Sequence, residues 1–135
     1  MKKIIIPGLI AGIILLVLGV FCLYLTIWLF PKLAIQYYNP AFNSGSGRNI
    51  IYYIHPFIIG MALSWFWGRI KGTLTGSFIS RGIGFGLIYA LIATFPMILL
   101  IYGAMSVSLT MVGTWFAFGL LQGVIAGLVF GKVDP

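Results

Sequence analysis

Few residues in this chain could do chemistry, and those few stand inside apolar sequence. The stretch YYIHPFIIG, residues 52–60, holds the single histidine, His55, preceded by Tyr52 and Tyr53 and followed by Pro56. Pro56 has no N–H to give the carbonyl of Tyr52 four residues back. A helix starting at Ile50, with Asn49 as its N-cap, would carry His55 about 8 Å from its start. A free carbonyl, an imidazole and two phenols would then cluster where the surroundings are apolar, and such a cluster can hold water or a polar solute. The plainer reading makes His55 a hydrogen-bonded or interfacial structural residue. Gln122 lies near the middle of another apolar run, where an amide either bonds to a neighbouring helix or meets a solute beside Gly119 and Gly123. Thr94 is followed closely by Pro96, which frees the carbonyl of Ile92 and bends its helix.

What is missing narrows the chemistry further. Asp134 is the only acid. Proton-coupled exchange through an embedded carboxylate, carboxylate metal sites and a paired acid–base mechanism within one subunit are therefore excluded. Cys22 is the only cysteine, so an internal disulfide and a cysteine metal cluster are excluded too. His55 with Ser106 or Ser108 could suggest a hydrolase, but no nucleophile elbow or oxyanion arrangement accompanies them. RGIGFG, residues 81–86, is no nucleotide loop, because no strand precedes it. It reads instead as a helix start exposing N–H groups beside a cation, suited to a lipid phosphate. No catalytic residue, metal or cofactor is expected.

The elements that must position these residues are set by composition. The chain is 61% hydrophobic and 7% charged, against about 25% charged for a soluble domain. Four apolar runs, about 4–30, 50–68, 78–102 and 107–131, are bounded by charge, proline and polar clusters. Each is roughly 28 Å or longer as a helix, enough to cross a bilayer core of ~30 Å. They lack the alternation of barrel strands. The apolar run behind Lys2 and Lys3 is too long for a signal h-region and reads as a retained first helix. The class expected is an all-α membrane protein, a single four-helix transmembrane domain over residues 1–135.

Charge orients it. Lys2, Lys3, Arg69, Lys71, Arg81 and Lys132 fall on one side, Lys32 and Arg48 on the other. The positive-inside rule puts both termini in the cytoplasm and makes residues 31–49 the external loop. Tyr37, Tyr38 and Phe42 would hold that loop at the headgroups. Arg69, Lys71 and Arg81 are expected at inner headgroups. The location is a cell membrane, in the manner of a bacterial inner-membrane protein. Basic charge placed this way implies no nucleic-acid partner.

Spacing gives the strongest internal signal. Gly119, Gly123, Gly127 and Gly131 recur every four residues, and Pro56, Gly60, Ser64 and Gly68 do the same. A shift of 63 residues superposes the two sets, carrying Gly60 onto Gly123. Gly8 and Gly12 echo Gly82 and Gly86 more weakly. The pattern suggests two αα-hairpins as a tandem repeat. Small residues at this spacing form a groove that a partner helix can approach closely. The ridges either pack the four helices of one subunit or face outward to another chain. The function expected is non-catalytic helix–helix assembly, as a homo-oligomer or as an accessory subunit beside another membrane protein. The alternative is a small oligomeric channel or carrier for a neutral, anionic or lipid-like solute, through His55, Tyr52, Gln122 and Thr94.

Overall fold

The computed structural model describes residues 2–42 and 45–135; Asn43 and Ser44, in the expected external loop, lie outside the described residues, as does Met1. Among the described residues the regular elements are all helical: α1 (Lys2–Leu29), α2 (Pro31–Gln36), α3 (Ile50–Ile70), α4 (Phe78–Tyr89), α5 (Phe95–Ala104) and α6 (Leu109–Val133). A π turn, Ala90–Thr94, joins α4 to α5. Four helical stretches are long and apolar enough to cross a membrane: Lys2–Leu29, Ile50–Thr73, Phe78–Ala104 and Leu109–Val133.

The helix ends follow local chemistry. α1 stops at Phe30, whose backbone leaves the helical region (φ −129°, ψ 66°) ahead of Pro31, because a residue before proline is pushed away from it. Pro31 then opens α2, where its missing N–H costs nothing. Ser77 and Ser108 cap α4 and α6 by accepting the N–H of Ser80 and of Met111. Asn49 corrects the expectation: it stands before α3, but its backbone is already helical and its side chain makes no cap bond. α3 also runs two residues beyond the expected end at Gly68 and continues as a 3-10 turn, Lys71–Thr73. Pro7 and Pro56 sit inside unbroken helices, both buried.

α1 packs along α3, and α4 along α6, each pair running in opposite directions. On α1, Gly8 meets Met61 and Gly12 meets Phe57. A Cβ on Gly60 would lie 2.6 Å from the Gly8 carbonyl oxygen. In the second pair, a Cβ on Gly127 would lie 2.5 Å from the Gly82 oxygen, and one on Gly86 2.5 Å from the Val124 nitrogen. Backbones this close admit only glycine, and the contact they gain is the van der Waals attraction that joins helices without a hydrophobic drive. Ser64 is buried and its hydroxyl donates to the Ile4 carbonyl at 2.9 Å. Gly68 departs from the expected ridge. It is exposed, with open space around it, because the first turn of α1 already stands opposite Ser64.

The contacts also shift the register of the internal match. Gly60 and Met61 face Gly8, and their counterparts Gly123 and Val124 face Gly86, not Gly82. Gly8 thus answers to Gly86, and Ile4 to Gly82, one helical turn later than glycine spacing alone suggests.

The core lies toward the end bearing Lys71, Arg81 and Lys132. Trp67, Phe85 and Phe130 meet there with ring centroids 5.4–6.1 Å apart, surrounded by Ala11, Leu15, Leu63 and Ala126. Toward the other end burial thins on three helices, though Met111 and Val112 of α6 stay buried there. α1 buries nothing beyond Leu15, α3 nothing before Pro56, and α5 nothing at all.

Candidate functional site

Three polar side chains lie about one turn beyond the aromatic core, Thr94 and Tyr89 beside one another and Gln122 on α6. Gln122 stands one turn from Ala126 on α6, and Tyr89 one turn from Phe85 on α4; Ala126 and Phe85 are fully buried. Thr94 ends the π turn. There the N–H of Phe95 reaches back five residues to Ala90, and Pro96 has none to offer. The extra residue turns Thr94 inward, leaving Leu91 and Ile92 exposed on the other side. Such single π turns recur at functional sites.

Glycines on α6 make room for these groups. A Cβ on Gly119 would lie 2.5 Å from Thr94 Cγ2 and 3.0 Å from its Oγ1, and one on Gly123 2.7 Å from the Tyr89 ring. Thr94 Oγ1 is buried and has no hydrogen-bond partner. The Tyr89 phenol lies beside it. Gln122 is 4% exposed, and its amide bonds to none of the described residues. No charged residue stands between Arg81 and Lys132 in the chain, so α4 to α6 bring no formal charge to this layer.

Sequence reasoning singled out Gln122 and Thr94, and the structure buries both, Thr94 against Gly119 of α6. It does not bring His55 or Tyr52 to them. Both of those residues are exposed on the first turns of α3. A cleft of about 410 Å³, lined by Leu29, Phe30, Lys32, Gln36 and Thr110 among others, includes neither Gln122 nor His55. Ser108, a conceivable nucleophile, is engaged as the α6 cap and donates to Gln36 Oε1 at 2.8 Å. Tyr89 escaped notice in the sequence, although its place five residues before Thr94 was a readable signal.

At the packed end, two cations expected at lipid headgroups are engaged by the chain itself. Lys71 pairs with Asp134 at 2.8 Å and donates to the Pro135 carbonyl at 3.2 Å. Trp67 Nε1 donates to the Asp134 carbonyl at 2.9 Å. Arg81 lies over the Trp67 ring, 5.2 Å from its centroid, and is partly buried. These positions hold the α3–α4 turn against the end of α6. Arg69 remains exposed, over Trp65.

At the other end, Tyr37 and Phe42 pack on Trp115 of α6 instead of standing free. Trp115 Nε1 donates to the Tyr37 hydroxyl at 2.6 Å. Burial pushes the Tyr37 phenol above its ordinary value, with the Trp115 bond opposing and nearby Tyr52 adding to the rise. Leu33 is buried beneath this strap. Tyr38 is 85% exposed and takes no part in it.

The fold and these sites define an all-helical protein with four helices able by length and composition to span a membrane. No protein-family model, curated protein or solved structure matches the chain.

Proposed function

We propose that this chain is a multi-pass integral membrane protein of the cell membrane, built as two αα-hairpins with both termini cytoplasmic. It acts without catalysis, by helix–helix assembly, as a homo-oligomer or as an accessory subunit beside another membrane protein. The observation that carries this reading is the bareness of α5. It buries no residue, and Met97, Leu99 and Leu100 stand 56–73% exposed. The glycine seams, by contrast, are spent inside the chain. A partner would therefore meet large apolar side chains on the outer halves of α5 and α1, where Phe21, Tyr24 and Trp28 are also exposed. Native mass spectrometry from mild detergent tests it. A particle of two or more 14.8 kDa chains, or one chain with a co-purifying membrane protein, is expected. A bare monomer at every concentration and in every mild detergent overturns it.

The second reading is a small channel or carrier for a neutral solute. Thr94, at the end of the π turn, and Gln122, both buried and uncharged, favour it over an anionic or lipid-like cargo, because α4 to α6 carry no cation between Arg81 and Lys132. Flux of glycerol into proteoliposomes no faster than into protein-free liposomes removes it.

A further inference from the structure

We propose that the cleft between the α1–α2 corner and the start of α6 binds the headgroup and glycerol neck of an anionic phospholipid, with Lys32 on its phosphate. The cleft, about 410 Å³, lies within the ~300–1,000 Å³ of small-molecule sites. Its lining is divided as an amphiphile requires. Leu29, Phe30 and Leu33 supply apolar walls, and Lys32, Gln36 and Thr110 supply polar groups. The division follows from the turn at Pro31, where the chain leaves α1 for α2. On α2, Lys32 and Gln36 are one helical turn apart and so share a face.

Charge then selects the ligand. Asp134 is the only acid in the chain, and Lys71 holds it at 2.8 Å beside the aromatic core. Lys32 therefore has no carboxylate side chain to pair with, and it is exposed. Gln36 Oε1 accepts from Ser108, which leaves the amide N–H groups of Gln36 as donors, and the Thr110 hydroxyl can donate beside them. An ammonium joined by neutral donors suits a phosphate. No carboxylate lines the cleft, so the ammonium of a zwitterionic headgroup finds no partner there, and a headgroup charged only at its phosphate fits better. The apolar walls distinguish a lipid from free phosphate. Leu25, one turn before Leu29 on α1, is 37% exposed and continues the apolar surface along which an acyl chain can lie. Trp28, exposed beside Leu29, is a residue type enriched at headgroup depth. The inference rests on the proposed membrane placement, and on neither assembly nor transport.

Membranes carrying the full chain are first washed in alkaline carbonate. A chain released by that wash fails the membrane reading and the site with it, whereas the lipid outcomes that follow fail the site alone. Retained protein, purified in neutral detergent, is mixed with phosphatidylglycerol and phosphatidylcholine of the same acyl chains, and bound lipid is counted by native mass spectrometry. Phosphatidylglycerol is expected to be retained several-fold over phosphatidylcholine. Lys32→Gln is expected to abolish that preference. Lys132→Gln removes the same charge from an exposed lysine at the other end and is expected to keep it. Thr110→Val is expected to weaken the preference several-fold. Equal retention of the two lipids by the parent overturns the site, and so does an equal loss of preference in the two lysine variants. Release of the bound lipid by millimolar inorganic phosphate overturns the lipid assignment in favour of a free anion.

Discussion

A methyl group on Gly127 would sit 2.5 Å from the carbonyl oxygen of Gly82, and that atom belongs to the backbone and cannot swing aside. Gly127→Ala is therefore expected to push α4 and α6 apart and destabilise the protein by about 1–3 kcal/mol, the range for overpacking a fitted interface. Gly68→Ala shares the sequence spacing but meets open space. It is expected to be neutral, or to stabilise by up to about 1 kcal/mol through helix propensity. Denaturation titrated in mixed micelles measures both, and equal losses at the two positions would refute the seam as described. The contrast could not be read from the sequence, where both glycines sit at the same four-residue interval. What separates them is whether a facing helix is present, and that depends on residues far away in the chain, such as Gly82 opposite Gly127.

At the scale of elements, the segment after α1 behaves as a strap. α2 turns back at Pro31, and Tyr37 and Phe42 grip Trp115. Trp115→Phe keeps the ring packing but removes the bond to the Tyr37 hydroxyl, and a loss of about 0.5–1.5 kcal/mol is expected in the same titration. The strap should also weaken in alkali. Burial raises the Tyr37 phenol above its unfolded value of about 10. Its contribution is thus fully present below that value and is lost as pH rises through the folded value. Spectrophotometric titration should show one tyrosine ionising later than in Trp115→Ala, where the covering ring is gone; identical titrations would show that the strap does not shield it. Tyr37, Phe42 and Trp115 are legible in the sequence as interface aromatics. Their mutual contact is not, because nothing local links a loop to a helix that begins more than sixty residues later.

For the whole molecule, the notable property is unequal packing. One end holds an aromatic core closed by Lys71, Asp134 and Arg81, while α1, α3 and α5 bury little or nothing toward the other. If the proposed orientation holds, the less buried end is the outer one. Cysteine at position 46, in a Cys22→Ser background, should then react with an impermeant label applied outside intact cells, and protection there would reverse the orientation. The packed end would lie at the cytoplasmic side, with Lys71 and Arg81 holding the chain to itself and Arg69 and Lys132 left for the lipid surface.

Composition and hydropathy alone determined that the chain forms four long apolar helices, because runs of this length satisfy their backbone hydrogen bonds internally as helices. They also determined which chemistries are absent, since a side chain missing from the sequence cannot be supplied by folding. Only the tertiary structure decided how those helices use their side chains. It set which glycines face a neighbour, moved the internal match by one turn, turned Lys71 and Arg81 inward and left His55 outside. It also set Thr94 and Tyr89 against Gly119 and Gly123 across the α4–α6 seam. The physical reason is common to all of these. A helix offers every residue to some direction, and only the position of the neighbouring helix determines which direction is buried.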